Sequence, residues 1–177
     1  ISTIFSFEPH HLHYDTVKRS ISSKKNLFLE KPLCVSREEL NKIIKLTEEN
    51  KESLPLIFIG HNRRYSSSVK YFKQLASASP MIFTMEINAG EIPNDHWIYD
   101  KNNGGDRCIA ECSHFIDLAN FIVSSPIIDL DGKSIRSGNI KYSLDNFCVS
   151  FIHKNGSISN LIYSSEGNRS NPREIFK

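Results

Sequence analysis

Asn26-Leu27-Phe28-Leu29-Glu30-Lys31-Pro32-Leu33 reads as a short buried strand that stops at a charged pair before a proline. Pro32 biases Lys31 away from the α region, which suits an exposed turn at the strand's end. In α/β folds that edge is where ligands sit. Ile1 to Phe7 reads as a strand before it and Leu56 to Ile59 as a strand after it. Between the first two lies helical spacing at His10, His13, Val17 and Ile21, with Pro9 at a helix start where its missing N–H is harmless. Between the second and third, Ser36-Arg37-Glu38-Glu39 is a capping box, and Leu40, Ile43, Ile44 and Thr47 give the expected buried face of the helix it opens. Strand–helix–strand–helix–strand predicts a parallel sheet with crossover helices.

The pattern changes near Arg63. A helix over residues 66–76 precedes Met81, Phe83, Met85, Ile87 and Ala89, which alternate with Ile82, Thr84, Glu86 and Asn88. That is a strand with one solvated face, typical of an antiparallel sheet. Phe147, Val149 and Phe151 alternate likewise, residues 158–163 form another strand, and Asn155-Gly156 between them signals a two-residue hairpin. The expected fold class is therefore α/β followed by α+β. Residues 1–62 form the C-terminal part of a Rossmann-like parallel sheet, and residues 63–177 form an antiparallel open sheet with helices on one face. The chain starts at Ile1 rather than Met and stops at Phe176-Lys177 on what reads as the entrance to a strand, so both ends read as cuts.

With 177 residues the chain has room for a substantial core. A formal net charge of +2 with scattered Lys and Arg gives no case for nucleic acid. No run approaches the roughly 18 apolar residues that span a membrane, and the apolar start lacks a basic leader. Cys34, Cys108, Cys112 and Cys148 have no framework spacing and read as reduced thiols of a cytoplasmic protein.

A second stretch carries chemistry: Gly104-Gly105-Asp106-Arg107-Cys108-Ile109-Ala110-Glu111-Cys112-Ser113-His114-Phe115-Ile116-Asp117-Leu118. Ile109, Cys112, Ile116, Ala119 and Val123 follow helical spacing and are expected to be core. Glu111 and His114, three apart, meet on the adjacent face of such a helix. A His beside a carboxylate is a proton acceptor near neutral pH. The bland alternative is a half-buried His satisfied by an acid, and that is the usual meaning of such a pair alone.

Taken together, Glu30-Lys31-Pro32, the Gly-Gly…His-Phe-Ile-Asp-Leu segment, Pro9-His10-His11-Leu12-His13 and Gly60-His61-Asn62-Arg63-Arg64-Tyr65 resemble the glucose–fructose oxidoreductase/inositol dehydrogenase (Gfo/Idh/MocA) family of nicotinamide-dependent sugar oxidoreductases. The motifs span almost the whole chain in order. The resemblance implies a dinucleotide-binding domain followed by an α+β domain whose open sheet mediates oligomerisation, hence a homo-oligomer, dimer or tetramer. It implies NAD or NADP as cofactor and a sugar, nucleotide sugar or cyclitol as substrate, with neither nucleic acid nor membrane as partner. Lys31 matches the catalytic Lys, with Glu30 and Pro32 lining the nicotinamide. His114 matches the catalytic His. His13 matches a position packed behind the cofactor loop, and Glu8 stands at the nicotinamide side where relatives often carry Thr.

The chain departs from the family in two further places. No G-x-G-x-x-G follows a strand, so the loop that sets a helix N-terminus against the pyrophosphate is either upstream of Ile1 or absent. Ala110 stands where many relatives carry an Asp four residues before the His, which passes the acid's role to Glu111. Arg63 and Arg64, at the domain junction, are candidate substrate-binding residues, with an ordinary ion-paired surface as the alternative. Trp97 is a candidate apolar wall for a sugar face, with core packing as the alternative. His10, His11 and His13 with Cys108 and Cys112 invite a zinc reading. Their spacings match no finger or ribbon, and no metal is expected.

Oxidising a secondary alcohol needs a group that holds the hydroxyl, one that takes its proton and a nicotinamide that accepts hydride. Lys31 and His114 fill the first two roles, with Glu111 beside His114. The expected function of the intact protein is NAD(P)-dependent oxidation or reduction at such a hydroxyl, this fragment alone being inactive. The reading from another class is an inactive truncated remnant that serves as an oligomerisation or binding module.

Overall fold

The computed structural model describes residues 2–76, 79–100, 103–135 and 145–177. Its contacts divide the chain into two compact units: Ile1–His61 with Asp95–Ser113, and Asn62–Asn94 with His114–Lys177. The sequence places a single cut at residue 62 and assigns everything after it to one domain. In the structure, contacts group residues 95–113 with the first unit.

In that unit β1 (Thr3–Ser6), β2 (Asn26–Leu29) and β3 (Ile57–Ile59) form a parallel sheet in the order β1-β2-β3. Phe5 pairs with Phe28 and Phe28 with Phe58. Alternation along the strands sends Leu27 and Leu29 into a core with Val17 and Ile21 of α1 (His13–Ser22) and Ile43 of α2 (Arg37–Glu49). The row Phe5–Phe28–Phe58 lies on the other face, its rings stacked at 5.6 and 5.4 Å.

Local signals decide where α1 and α2 start. A 3₁₀ turn over His10–Leu12 follows Pro9 and leads into α1. Ser36 Oγ accepts the Glu39 N–H at 3.1 Å, while the Glu39 carboxylate accepts the Val35 N–H at 2.9 Å. The Glu39 N–H is an orphan donor of the helix start, and such a cap is worth about 1 kcal/mol, while the Val35 bond ties the residue before the cap to the first turn. The expected buried face of α2 is narrower than its apolar pattern. Ile43 is buried, but Leu40 and Ile44 are 39% and 45% exposed.

The second unit has five strands in the order β5-β6-β7-β4-β8: β4 (Ile82–Asn88), β5 (Ile127–Ser134), β6 (Asn146–His153), β7 (Ile158–Ser164) and β8 (Glu174–Phe176). It is mixed rather than purely antiparallel, because β4 runs parallel to β7 with Ile82 opposite Ile158. One solvated face does not distinguish the two directions. The β6–β7 hairpin forms at Asn155-Gly156 through three loop residues. Gly156 N–H donates to His153 O at 2.9 Å, and His153 N–H to Ser157 O at 2.9 Å. Gly156 takes φ +85°, the left-handed geometry that such loops require of their last residue. Phe83, Met85 and Ile87 of β4 are buried, and α3 (Ser67–Leu75) meets them through Phe72, 5.5 Å from the Phe83 ring.

The helix α4 (Ser113–Val123) begins differently from the pattern drawn above. Cys108–Cys112 is a π-helix that runs directly into it. The wider turn shifts the phase of the apolar stripe. Cys112, Ala119 and Val123 are buried as expected, but Ile109 and Ile116 are only partly so, and Phe115, Leu118 and Ile122 join the core.

Candidate active site

All three strands of the first unit run the same way, so their carboxyl ends share one edge. The residues that leave β1 and β2 there are Phe7-Glu8-Pro9 and Glu30-Lys31-Pro32. All of these but Pro32 line a cavity of about 690 Å³ together with His10, His11, Trp97 and Asn103. The last two come from the segment 95–113.

His13 binds the two strand exits together. It is fully buried at the start of α1, with Nδ1 2.5 Å from the Pro32 carbonyl oxygen and Nε2 2.9 Å from that of Glu8. The Glu8 carboxylate accepts from Ser6 Oγ at 2.8 Å and Thr16 Oγ1 at 2.5 Å, with Arg19 at 3.6 Å. The Thr16 bond, then the Ser6 bond, hold its carboxyl below the ordinary range.

Lys31 reaches across the unit, its Nζ donating to the Ala110 carbonyl at 2.8 Å. The position that the family pattern gives to an acid thus supplies a backbone oxygen to the lysine. A turn on Asp100, whose carbonyl accepts the Asn103, Gly104 and Gly105 N–H groups, brings the 104–112 stretch into place. Gly104 lies so close to the Ile98 backbone that a Cβ there would collide with it, and Gly105 takes φ +86°. Asp106, at φ +123°, accepts the Ile109 N–H on its side chain at 2.9 Å. A π-helix and a left-handed Asp side by side are features that gather at functional sites.

Glu111 sits in that π-helix. Its carboxylate accepts Arg107 Nε at 3.1 Å and Nη2 at 3.3 Å, and Arg107 is only 1% exposed. Pairing with a buried guanidinium is a role that the Glu-x-x-His spacing did not signal. His114 follows in the first turn of α4, partly buried, on the second unit's side of the division.

His10 packs edge-on against Trp97 at 5.0 Å and lies 3.4 Å from the Gly104 carbonyl through Nδ1. Burial, ahead of the Lys31 charge, pushes its imidazole below the ordinary value and favours the neutral form. Trp97 is 48% exposed, so it is a wall rather than core. Arg63 and Arg64 belong to the second unit. Arg63 pairs with Glu174 and lies over the Phe115 ring at 4.8 Å. Arg64 grips Asp117 with Nε at 2.6 Å and with Nη2. Both are therefore ion-paired within the second unit, the alternative that the sequence left open.

The cavity fits the nicotinamide half of a dinucleotide. Phe7, Pro9 and Trp97 offer apolar faces, and Glu8, His10, Glu30 and Lys31 offer polar edges. His11 Nδ1 is buried without a hydrogen-bond partner. Among the described residues, no three His, Cys, Asp or Glu side chains gather where they could hold a metal ion, and no helix is long and apolar enough to cross a membrane.

A parallel sheet with a cleft at its strand exits is the architecture of a nucleotide-binding α/β protein, and comparisons narrow it. Residues 3–58 match the model of the Gfo/Idh/MocA oxidoreductase family, NAD-binding Rossmann fold. An uncharacterized oxidoreductase of Bacillus subtilis, YrbE, is 23% identical over 170 residues, covering 90% of this chain and 47% of its own length. A myo-inositol dehydrogenase from Corynebacterium glutamicum has a TM-score of 0.74 at 18% identity, covering 94% of this chain and 50% of the other. A UDP-N-acetylglucosamine 3-dehydrogenase from Acidithiobacillus ferrooxidans has a TM-score of 0.74 at 18% identity, covering 99% and 54%. Levoglucosan dehydrogenase, solved with NADH and levoglucosan, has a TM-score of 0.78 at 18% identity, covering 99% and 51%. Over residues 3–58 the chain is thus similar to the Gfo/Idh/MocA family, and it spans about half the length of these relatives.

Proposed function

We propose that the protein containing this chain is an NAD(P)-dependent oxidoreductase acting on a hydroxyl of a sugar, nucleotide sugar or cyclitol. The observation that carries this reading is Lys31, set at the exit of β2 on the wall of a cavity sized for a nicotinamide. A nicotinamide bound there supplies the hydride acceptor. Glu30 and Pro32 line it on one side and Glu8 on the other, with His13 fixing both exits from behind.

In this reading Lys31 holds the reacting oxygen and lowers the cost of the charge that develops on it. His114 takes the hydroxyl proton. Glu111, kept in place by Arg107, supplies the negative charge beside it. Trp97 presents its ring to an apolar sugar face. The match of residues 3–58 to the family model, and the sugar substrates named for similar structures, support this assignment of substrate class.

The test is direct. The full-length protein is mixed with NADH or NADPH and binding is followed by quenching of the nicotinamide fluorescence. A panel of hexoses, nucleotide sugars and inositols is then screened with NAD+ or NADP+ for production of reduced cofactor. Saturable binding of one cofactor and turnover of one substrate class are expected. A full-length protein that binds neither nicotinamide would overturn the assignment.

A further inference from the structure

The His13 ring meets two acceptors and no donor. Its Nδ1 lies 2.5 Å from the Pro32 carbonyl oxygen and its Nε2 2.9 Å from the Glu8 carbonyl oxygen. A carbonyl oxygen only accepts, so each contact needs a hydrogen on the ring nitrogen, and a neutral imidazole carries one. In either neutral tautomer a bare nitrogen lone pair faces a carbonyl lone pair at hydrogen-bond distance. The residue is fully buried, and low local polarity makes such a mismatch costlier. The imidazolium, with a hydrogen on each nitrogen, satisfies both carbonyls.

His153, also buried, shows the other case. Its Nδ1 faces the Ser125 carbonyl at 2.7 Å, but its Nε2 faces the Ser159 hydroxyl at 2.7 Å. A hydroxyl donates as well as accepts, so one hydrogen on Nδ1 is enough and the neutral ring fits.

A buried cation needs negative charge close by. The Glu8 carboxylate supplies it. Thr16 and Ser6 hold that carboxylate, and the His13 charge helps to keep it ionised, after those two bonds and Arg19. His13 also opens α1, where the positive end of the helix opposes a cation. The carboxylate and the two carbonyl dipoles act against that.

We propose that His13 is an imidazolium that clamps the exits of β1 and β2, and that its charge helps to keep His10 neutral as a hydrogen-bond acceptor in the cavity wall. The two rings lie 5.6 Å apart. Burial is the first cause that depresses His10. The charges of Lys31, His13 and His11 act in the same direction, against the Gly104 carbonyl. His10 Nδ1 faces that carbonyl at 3.4 Å and takes the ring's one hydrogen. Its Nε2 is left to accept from a ligand N–H or O–H. His13 is thus a positioning residue. The protonation states stand alone, whereas the donor that His10 meets, a nicotinamide carboxamide or a substrate hydroxyl, rests on the function proposed above.

The experiment labels the histidine rings of the full-length protein isotopically and reads their nitrogen chemical shifts by NMR at neutral pH, which separate nitrogens that carry hydrogen from bare ones. His13 should show hydrogen on both nitrogens, and His10 and His153 on Nδ1 alone. A His13 ring with one hydrogen overturns the proposal, and that reading comes from the wild-type protein. His13→Asn removes the charge and should let His10 titrate closer to the ordinary His value, with burial still holding it below. A His10 titration that does not move overturns the coupling between the rings. His10→Phe should weaken NADH binding by about tenfold, the loss of one hydrogen bond, where the donor is the carboxamide, and should raise the substrate KM alone where it is a hydroxyl. Both unchanged overturns the acceptor role. A wild-type protein that binds no nicotinamide overturns the proposed function instead and leaves the ring spectra standing.

Discussion

His13→Phe is the substitution that probes the site's frame rather than its chemistry. Phe has nearly the volume of His, so the fully buried ring leaves little cavity. What it removes is the pair of contacts to the Pro32 carbonyl at 2.5 Å and the Glu8 carbonyl at 2.9 Å. A buried acceptor left unpaired costs about 1–3 kcal/mol, and a part-buried one roughly 0.5–1.5. The Pro32 contact is buried and the Glu8 contact part-buried. The expected loss is therefore about 2–4 kcal/mol. The assay is urea unfolding of the first unit followed by far-UV circular dichroism. With a slope of about 2 kcal/mol per molar urea, the midpoint falls by about 1–2 M at constant slope. His13→Asn, whose amide still reaches one carbonyl, should recover part of the loss. A midpoint for His13→Phe within experimental error of wild type would refute the reasoning, because the two exits would then be held by something other than this ring.

Three further outcomes are expected. The folded His10 value is depressed by burial, so the unfolded chain binds the proton more tightly. Its contribution is complete above the ordinary His value and is lost as pH falls below it, which an NMR titration of the His10 ring with parallel unfolding curves checks. Thr16→Val removes the first cause of the lowered Glu8 value. The Glu8 carboxyl should then titrate closer to the ordinary Glu value, and the stability that it supplies above that value should fade at higher pH, as a carboxylate-resolved NMR titration will show. Gly104→Ala forces a Cβ into the Ile98 backbone and should cost about 1–3 kcal/mol, read as a lower unfolding midpoint.

Short-range grammar carried most of the fold. The capping box at Ser36, the strand that stops at Glu30-Lys31-Pro32 and the hairpin at Asn155-Gly156 each depend on neighbours within a few residues, and the structure places each where that grammar puts it. What escaped was long-range or off-period. The bond from Lys31 to Ala110 joins residues 79 apart with no local signal, so the grouping of residues 95–113 with the first unit was not legible. The π-helix at Cys108–Cys112 has an amino-acid pattern that an α-helix would share, so the expected stripe through Ile109 and Ile116 was drawn at the wrong phase. The parallel pairing of β4 with β7 escaped because alternation reports burial and not direction. In the candidate site, Lys31 and its neighbours were legible as a charged strand exit. His10 enters the sequence reading as a helical-stripe residue, as part of the Pro9–His13 motif and as a metal candidate, and its position right after Pro9 at the exit of β1 is the further signal for the cavity wall. Arg107 as the partner of Glu111 was visible as an i,i+4 pair of opposite charge that the reading of His114 passed over.

The central claim is that Lys31 handles the reacting oxygen. Steady-state kinetics of full-length Lys31→Met, with the best cofactor and substrate of the wild-type protein, test it most directly. Cofactor affinity should stay close to wild type, since the cavity walls remain. The value of kcat should fall by about 10²–10⁴-fold, the range for losing a positioned proton-handling or charge-stabilising group. Wild-type kcat in a folded Lys31→Met enzyme would contradict the account.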